Sequence, residues 1–202
     1  DDPAVGSTID VQGSLAAATI AISSGDEADN ITLQSVTSGS TITIDTGDGS
    51  DTILFEGDVS GTVVDIDLGD GNNQLDIAAT KTLTSTSFNL SSGIGNDSVT
   101  FAGMLNNIGT LDIMMGAGND QLGMQDDVSG TAVAINLGDG INSFDLTADN
   151  TLTAADISII SGAGVDAITV DGLIFADSIA IDTGANDDAI NLNGSLRDTN
   201  SV

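Results

Sequence analysis

Several residue types are missing from this chain, and their absence narrows what it can do. Its 202 residues include no Cys, His, Trp or Tyr, a single Pro, and only two basic residues, Lys81 and Arg197. The lack of Cys excludes disulfides, thiol nucleophiles and Cys-based metal sites. The lack of His removes the commonest general base and the usual zinc ligand. Since cationic side chains and aromatic platforms for a sugar are also scarce, we expect no enzymatic activity.

Acidic residues, in contrast, dominate the charge. The chain has 31 of them and a formal net charge of −29, and all are Asp except Glu27 and Glu56. Such a surface repels nucleic-acid phosphates and anionic lipids and attracts small cations. No apolar run has the length of a membrane span. Asp is favoured where a carboxylate lies close to a turn backbone or a bound ion, so the composition indicates cation ligation and neither nucleic-acid binding nor membrane insertion.

A repeat runs through the whole chain. A glycine recurs at positions 25, 47, 69, 93, 116, 138, 162 and 184, with spacings of 22 to 24 residues. Apolar residues stand three positions before it (Ile22 to Ile181) and six and eight positions after it (Ile31 and Leu33 to Ile190 and Leu192). The local period of two within each repeat indicates strands.

These spacings predict the fold. A repeat of 22 to 24 residues is too short for a helical crossover but fits one turn of a parallel β-solenoid. We therefore predict an all-β, right-handed parallel β-helix of about nine coils, each with a strand, a glycine turn, a strand, a bend and a short third strand. A second periodicity divides this single domain, residues 1–202, into three-coil units at roughly 1–56, 57–125 and 126–202.

The turn after each first glycine carries the candidate site. Aligned copies read G-x-G-x-[DN], followed by alternating apolar residues, as in G-D-G-S-D at 47–51 and G-A-G-N-D at 116–120. Glycines at alternate positions allow carbonyl groups to converge on an ion, and carboxylates stacked one per coil call for a cation between them. The candidate metal-ligating residues are Asp29, Asp51, Asn73, Asp97, Asp120, Asn142, Asp166 and Asp188, the glycines Gly47, Gly49, Gly69, Gly71, Gly93, Gly95, Gly116, Gly118, Gly138, Gly140, Gly162 and Gly164, and the additional acids Asp48, Asp70 and Asp139.

This turn resembles the nonapeptide repeat G-G-x-G-x-D-x-U-x of the RTX family, the haemolysin-type calcium-binding proteins. The resemblance covers eight turns, and it implies several calcium ions held between successive turns on one edge by the Asp and by turn carbonyls. The chain departs from the family in having a longer coil with one such turn. It also replaces the first glycine of the family motif by Ser24, Thr46, Leu68, Ser92, Met115, Leu137, Ser161 or Thr183.

Two readings of the turn remain open. Either the Asp binds calcium, or G-x-G-x-D is a tight turn in which the carboxylate accepts a backbone hydrogen bond. The turns with Asn73 and Asn142 are each preceded by an acid, Asp70 or Asp139, which can supply the charge that Asn lacks.

The repeat as a whole predicts a structural protein. We expect a secreted calcium-binding solenoid that builds an extracellular filament, a surface (S-) layer or a matrix, with an adhesin stalk or an ice-binding module as the alternative. Pro3 occupies the glycine position of a first coil and Val202 stands 18 residues after Gly184, so either one chain completes the coil of the next or the 202 residues belong to a longer solenoid. The expected partner is therefore another copy stacked head to tail, with surface or matrix glycans as further partners.

Overall fold

The computed structural model describes residues 5–198, which form twenty strands and no helix. The strands are β1 (Thr8–Ala17), β2 (Ile20–Ser23), β3 (Asn30–Ser38), β4 (Thr41–Asp45), β5 (Thr52–Phe55), β6 (Val59–Asp67), β7 (Gln74–Ile77), β8 (Thr82–Ser91), β9 (Ser98–Phe101), β10 (Met104–Met114), β11 (Gln121–Met124), β12 (Val128–Asn136), β13 (Ser143–Leu146), β14 (Thr151–Thr153), β15 (Asp156–Ile160), β16 (Ala167–Val170), β17 (Leu173–Phe175), β18 (Ser178–Asp182), β19 (Ala189–Leu192) and β20 (Ser195–Arg197). Within these residues there is accordingly no helix long and apolar enough to cross a membrane.

Each strand pairs in parallel with its counterparts one coil before and one coil after. Strand β5, for example, pairs with β3 and β7, which places Ile53 between Ile31 and Leu75. The result is a β-solenoid of about nine coils with about 22 residues per coil. The predicted all-β parallel solenoid is therefore confirmed.

The core is the continuous interior of the coils. Alternation within the strands sends one apolar residue inward and the next side chain out, and inward Ile, Leu and Val stack in columns that are buried through most of the rod. The two aromatic rings of Phe88 and Phe101 meet edge to face, with 5.9 Å between centroids. Burial of apolar area on this scale is the main favourable contribution to folding.

The short third strand of the predicted coil is often continuous with the first strand of the next coil. In β6, Val59 and Ser60 pair with β3, whereas Val63–Asp67 pair with β4. Strands β8, β10 and β12 are similarly long. The two segments are separate near the start of the chain, where β1 and β3 end before β2 and β4, and near its end, as β14 and β15 and as β17 and β18.

Two corners carry the insertions that lengthen a coil by two residues. Thr80 in one and Asp149 in the other both have a φ of 69°, so the two insertions share a left-handed residue at the same place. This common geometry fits the three-coil periodicity of the sequence.

The last described coil leaves its apolar side chains uncovered. Ile190, Leu192 and Leu196 continue the inner columns but are 45, 46 and 43% exposed. Pro3 and Val202, on which the predicted head-to-tail register depends, lie outside the described residues.

Candidate metal site: the ladder of turn carboxylates

The glycine turns lie directly above one another along one edge of the solenoid. Gly71 has a φ of 133°, and a Cβ added to it would lie 1.5 Å from the carbonyl oxygen of Gly49 in the coil below. Only glycine combines this backbone with so close an approach. The second glycine of the motif is therefore required by stacking, whether or not an ion is bound.

The fifth residue of the motif points into the solenoid. Its side chain is buried in seven of the eight coils, namely Asp29, Asp51, Asn73, Asp97, Asp120, Asn142 and Asp166, and half-buried at Asp188. Buried carboxylates need strong partners, because the charged form loses its hydration.

One partner is the backbone of the preceding coil. The Oδ1 atom of each motif residue accepts a hydrogen bond from the backbone N–H of the motif residue one coil earlier, which creates a continuous ladder. The donor-to-acceptor distances are 2.7 Å for Asp29 to Asp51, 3.0 Å for Asp51 to Asn73, 2.7 Å for Asn73 to Asp97, 2.8 Å for Asp97 to Asp120, 2.9 Å for Asp120 to Asn142, 2.8 Å for Asn142 to Asp166 and 2.9 Å for Asp166 to Asp188. Ser7 donates to Asp29 in the same way at the start.

The second side-chain atom has three different environments. The Nδ2 groups of Asn73 and Asn142 donate to carbonyls of their own turns. The Oδ2 atoms of Asp97 and Asp166 accept from the hydroxyls of Ser92 and Ser161, at 2.7 and 2.8 Å.

Three Oδ2 atoms have no such partner. Among the described residues, Oδ2 of Asp29, Asp51 and Asp120 is buried without a hydrogen bond. An unsatisfied, buried acceptor costs free energy, so these atoms fit a bound cation or a proton.

Burial also changes the acidity of the ladder. Loss of hydration is the main cause that raises the pKa of the Asp51 and Asp97 carboxyls, although both accept hydrogen bonds that oppose the change. The same loss raises the pKa of Asp120 to about 6, and the negative charge of Asp97 adds to the effect. Asp120 is thus the ladder residue whose charged form is least compensated by the protein.

The additional acids lie outside the ladder. Asp48, Asp70 and Asp139 are exposed on the outer side of their turns. Asp70 accepts a hydrogen bond from the N–H of Ile94, and Asp139 accepts one from Ala163, both at 2.8 Å and both from the following coil. Asp70 and Asp139 consequently fasten one turn to the next.

A second ladder was not anticipated from the sequence. Oδ1 of Asn72 accepts from the N–H of Asn96, Asn96 accepts from Asn119, and Asn119 accepts from Ile141, at 2.7, 2.8 and 2.9 Å. It lies on the exposed side of the turns, and its bonds run toward the following coil, opposite to those of the buried ladder. The signal was a column of Asn at the fourth motif position, three coils in succession.

A metal ion on this edge would depend on the backbone for much of its coordination. Among residues 5–198 no three acidic side chains converge into a metal-binding group. The chain matches no protein-family model, no curated protein and no solved structure. The resemblance of its turns to the RTX repeat accordingly remains a prediction.

Proposed function

We propose that this protein is a secreted, calcium-binding structural element whose solenoids stack end to end into an extracellular filament or surface layer. The observation that carries the proposal is the buried column of turn carboxylates, in which Oδ2 of Asp29, Asp51 and Asp120 has no hydrogen-bond partner among the described residues. Its role would be mechanical and not enzymatic.

The last coil that the structure describes presents apolar side chains on its outer surface, which we call the end face. Ile168, Val170 and Ile174 of the preceding coil are fully buried, whereas their counterparts Ile190, Leu192 and Leu196 are nearly half exposed. Covering these side chains would contribute about 1 kcal/mol each. Strands β18, β19 and β20 also offer the backbone groups of an open edge, a template for further strand pairing.

A second copy of the chain is the occupant that matches this face. Its first coil presents strands β1 and β2, with Ile9, Val11 and Leu15 in the same inner columns. Parallel pairing of β1 on β19 would continue the pattern by which β3 already pairs with β1. Two chains of charge −29 repel each other, so cations would favour the contact.

Calcium is the cation that the oxygen donors favour. The orphan Oδ2 atoms of Asp29, Asp51 and Asp120 lie in turns rich in carbonyl oxygens, and both are ligands that calcium prefers. Bound calcium would neutralise buried carboxylates. Calcium-binding modules that work outside cells have dissociation constants of about 10⁻⁴–10⁻³ M, and we propose that this chain is one of them.

The test is assembly in solution and in the electron microscope. Light scattering across a concentration series should show oligomers that grow with added calcium, and negative staining should show rods about one coil diameter wide. Leu192→Lys places a charge in the end face and should abolish growth. Asn191→Lys, one residue away on the outer side of the same exposed strand, should not. A wild-type monomer at every concentration of protein and calcium would contradict the proposal.

A further inference from the structure

The residue five positions before each ladder residue varies together with it. Where the ladder has Asn, that residue is Leu, and where it has Asp, that residue carries a hydroxyl, with one exception. The pairs are Ser24 with Asp29, Thr46 with Asp51, Leu68 with Asn73, Ser92 with Asp97, Met115 with Asp120, Leu137 with Asn142, Ser161 with Asp166 and Thr183 with Asp188. The exception is Met115.

The Asn turns show what the second side-chain atom faces. Nδ2 of Asn73 lies 3.2 Å from the carbonyl oxygen of Gly69 and 3.4 Å from that of Gly71, and Nδ2 of Asn142 lies 2.9 Å from that of Gly138. When Asp replaces Asn and its Oδ1 makes the same ladder bond, Oδ2 takes the place of this donor. An acceptor then faces two acceptors, and a positive group must come between them.

In most of the Asp turns, the residue five positions earlier carries a hydroxyl that could donate a hydrogen bond to Oδ2. Ser92 and Ser161 donate to Oδ2 of Asp97 and Asp166. Ser24 and Thr46 carry a hydroxyl at the same position for Asp29 and Asp51, although both hydroxyls donate to backbone carbonyls. The hydroxyl of Thr46 nevertheless opposes the rise in the pKa of the Asp51 carboxyl. A thioether cannot donate, so Met115 leaves Asp120 without this partner.

We propose that the turn at 116–120 is the principal calcium site of the rod, formed by Oδ2 of Asp120 and the carbonyl oxygens of Gly116 and Gly118. This inference rests on the calcium binding in the proposed function and assigns it to one turn. The Oδ2 atom is fully buried and has no hydrogen-bond partner among the described residues, and Asp120 itself is 0% exposed.

The equivalent turn at Asn73 indicates a spacing that suits the ion. Neighbouring oxygen ligands at right angles around calcium are about 3.4 Å apart, given metal–oxygen distances of about 2.4 Å. The distances of 3.2 and 3.4 Å found at the equivalent Asn73 turn are of this size. Ala117 and Asn119 are exposed, so waters on the open side can complete the coordination. The raised pKa of Asp120 is consistent with a charge that the protein leaves uncompensated.

The site can be tested without altering a carboxylate. Met115→Ser supplies the missing hydroxyl, and in calorimetric titration of the chelator-treated chain with CaCl2 it should weaken the tightest site at least tenfold. Asp120→Asn copies the turn of Asn142 and should remove that site. Asp112→Asn, which removes one exposed charge from strand β10, is the matched control and should leave it unchanged. Ser92→Met should add a second tight site.

Each outcome decides the inference. Wild-type binding without a tight site, or a tight site that survives both Asp120→Asn and Met115→Ser, would overturn it. Circular dichroism of each variant checks that the coil still folds, and Asp120→Asn keeps the test valid if Met115→Ser does not fold. End-to-end growth is measured separately by light scattering, so chains that bind calcium at Asp120 but remain monomeric would contradict the stacking alone.

Discussion

The motif aspartates act on two neighbours at once. One carboxylate oxygen accepts from the backbone of the coil before, and at Asp97 and Asp166 the other accepts from a hydroxyl of its own coil. Hydrogen bonds to a charged group contribute more than neutral ones, about 1.5–3 kcal/mol. The register between two successive coils therefore depends on the carboxylate of one motif residue and on whether it is charged.

Asp120 should make the stability of the metal-free protein depend on pH. Its pKa is about 6 in the folded chain, above the ordinary 3.8, so folding favours the protonated form. The stabilisation is complete below about pH 3.8 and is lost as pH rises through 6, a change of about 3 kcal/mol. Asp97, one coil earlier, is the charged neighbour that contributes.

Urea unfolding in chelator at several pH values measures this effect. The slope of stability against pH between 4 and 6 should be smaller in Asp120→Asn than in the wild type. An identical slope in both proteins would assign the dependence to other carboxyls.

The sequence reveals the position of these residues better than their orientation. The spacing of Gly and Asp places Asp51 and Asp97 in one column, as found. An Asp that binds an ion and an Asp that accepts a hydrogen bond from a neighbouring N–H both require the same turn. The sequence pattern alone therefore did not distinguish between these two roles. The roles of Ser92 and Met115 could not be predicted from the sequence, because they depend on contacts with Asp97 and Asp120, five residues further along the chain.

At the level of the turns, glycine is needed for stacking. Gly71→Ala would bring Cβ to 1.5 Å from the carbonyl oxygen of Gly49 at a φ of 133°, and we expect a loss of about 3 kcal/mol or more. Gly123→Ala, in strand β11, meets nothing nearer than 3.8 Å and should be neutral or slightly stabilising. Thermal unfolding of the two variants compares them directly, and equal melting temperatures would contradict this account.

At the inserted corner, Thr80 adopts a conformation that a β-branched residue disfavours. Thr80→Asn should stabilise the chain by about 0.5–1 kcal/mol, since Asn tolerates a left-handed backbone at lower cost. The same replacement at Thr82, which lies in strand β8, should give no gain. Chemical denaturation measures the free energy of unfolding of both variants. If Thr80→Asn lowers it, the side chain of Thr80 makes a contact that stabilises the chain by more than its backbone conformation costs.

Strand positions were predictable, but strand continuity was not. The repeat located Val59 and Ile66 on the inner side, yet whether the chain stops or runs on between them depends on the packing of the bend. Gly61, whose added Cβ would lie 3.2 Å from Ile42, shows how closely that bend approaches the coil below.

For the whole molecule, the charge of −29 sets a general sensitivity to salt. Screening lengths fall from about 30 Å at 0.01 M to about 8 Å at 0.15 M ionic strength, which weakens repulsion between columns of carboxylates. We expect the melting temperature to rise with NaCl, by about 2–4 °C for each kcal/mol gained. Calcium at matched ionic strength should raise it further, and equal effects of the two salts would show that only screening operates.

The buried ladder gives the rod a direction. Each Oδ1 accepts from the coil before it, from the Ser7 N–H at Asp29 to the Asp166 N–H at Asp188, so the ladder differs when it is followed in its two directions. A fibre of such units would have two kinetically different tips, and elongation from a dye-labelled seed should advance faster at one of them. Monomers would then add mainly at one end, and the fibre would have a defined direction of growth.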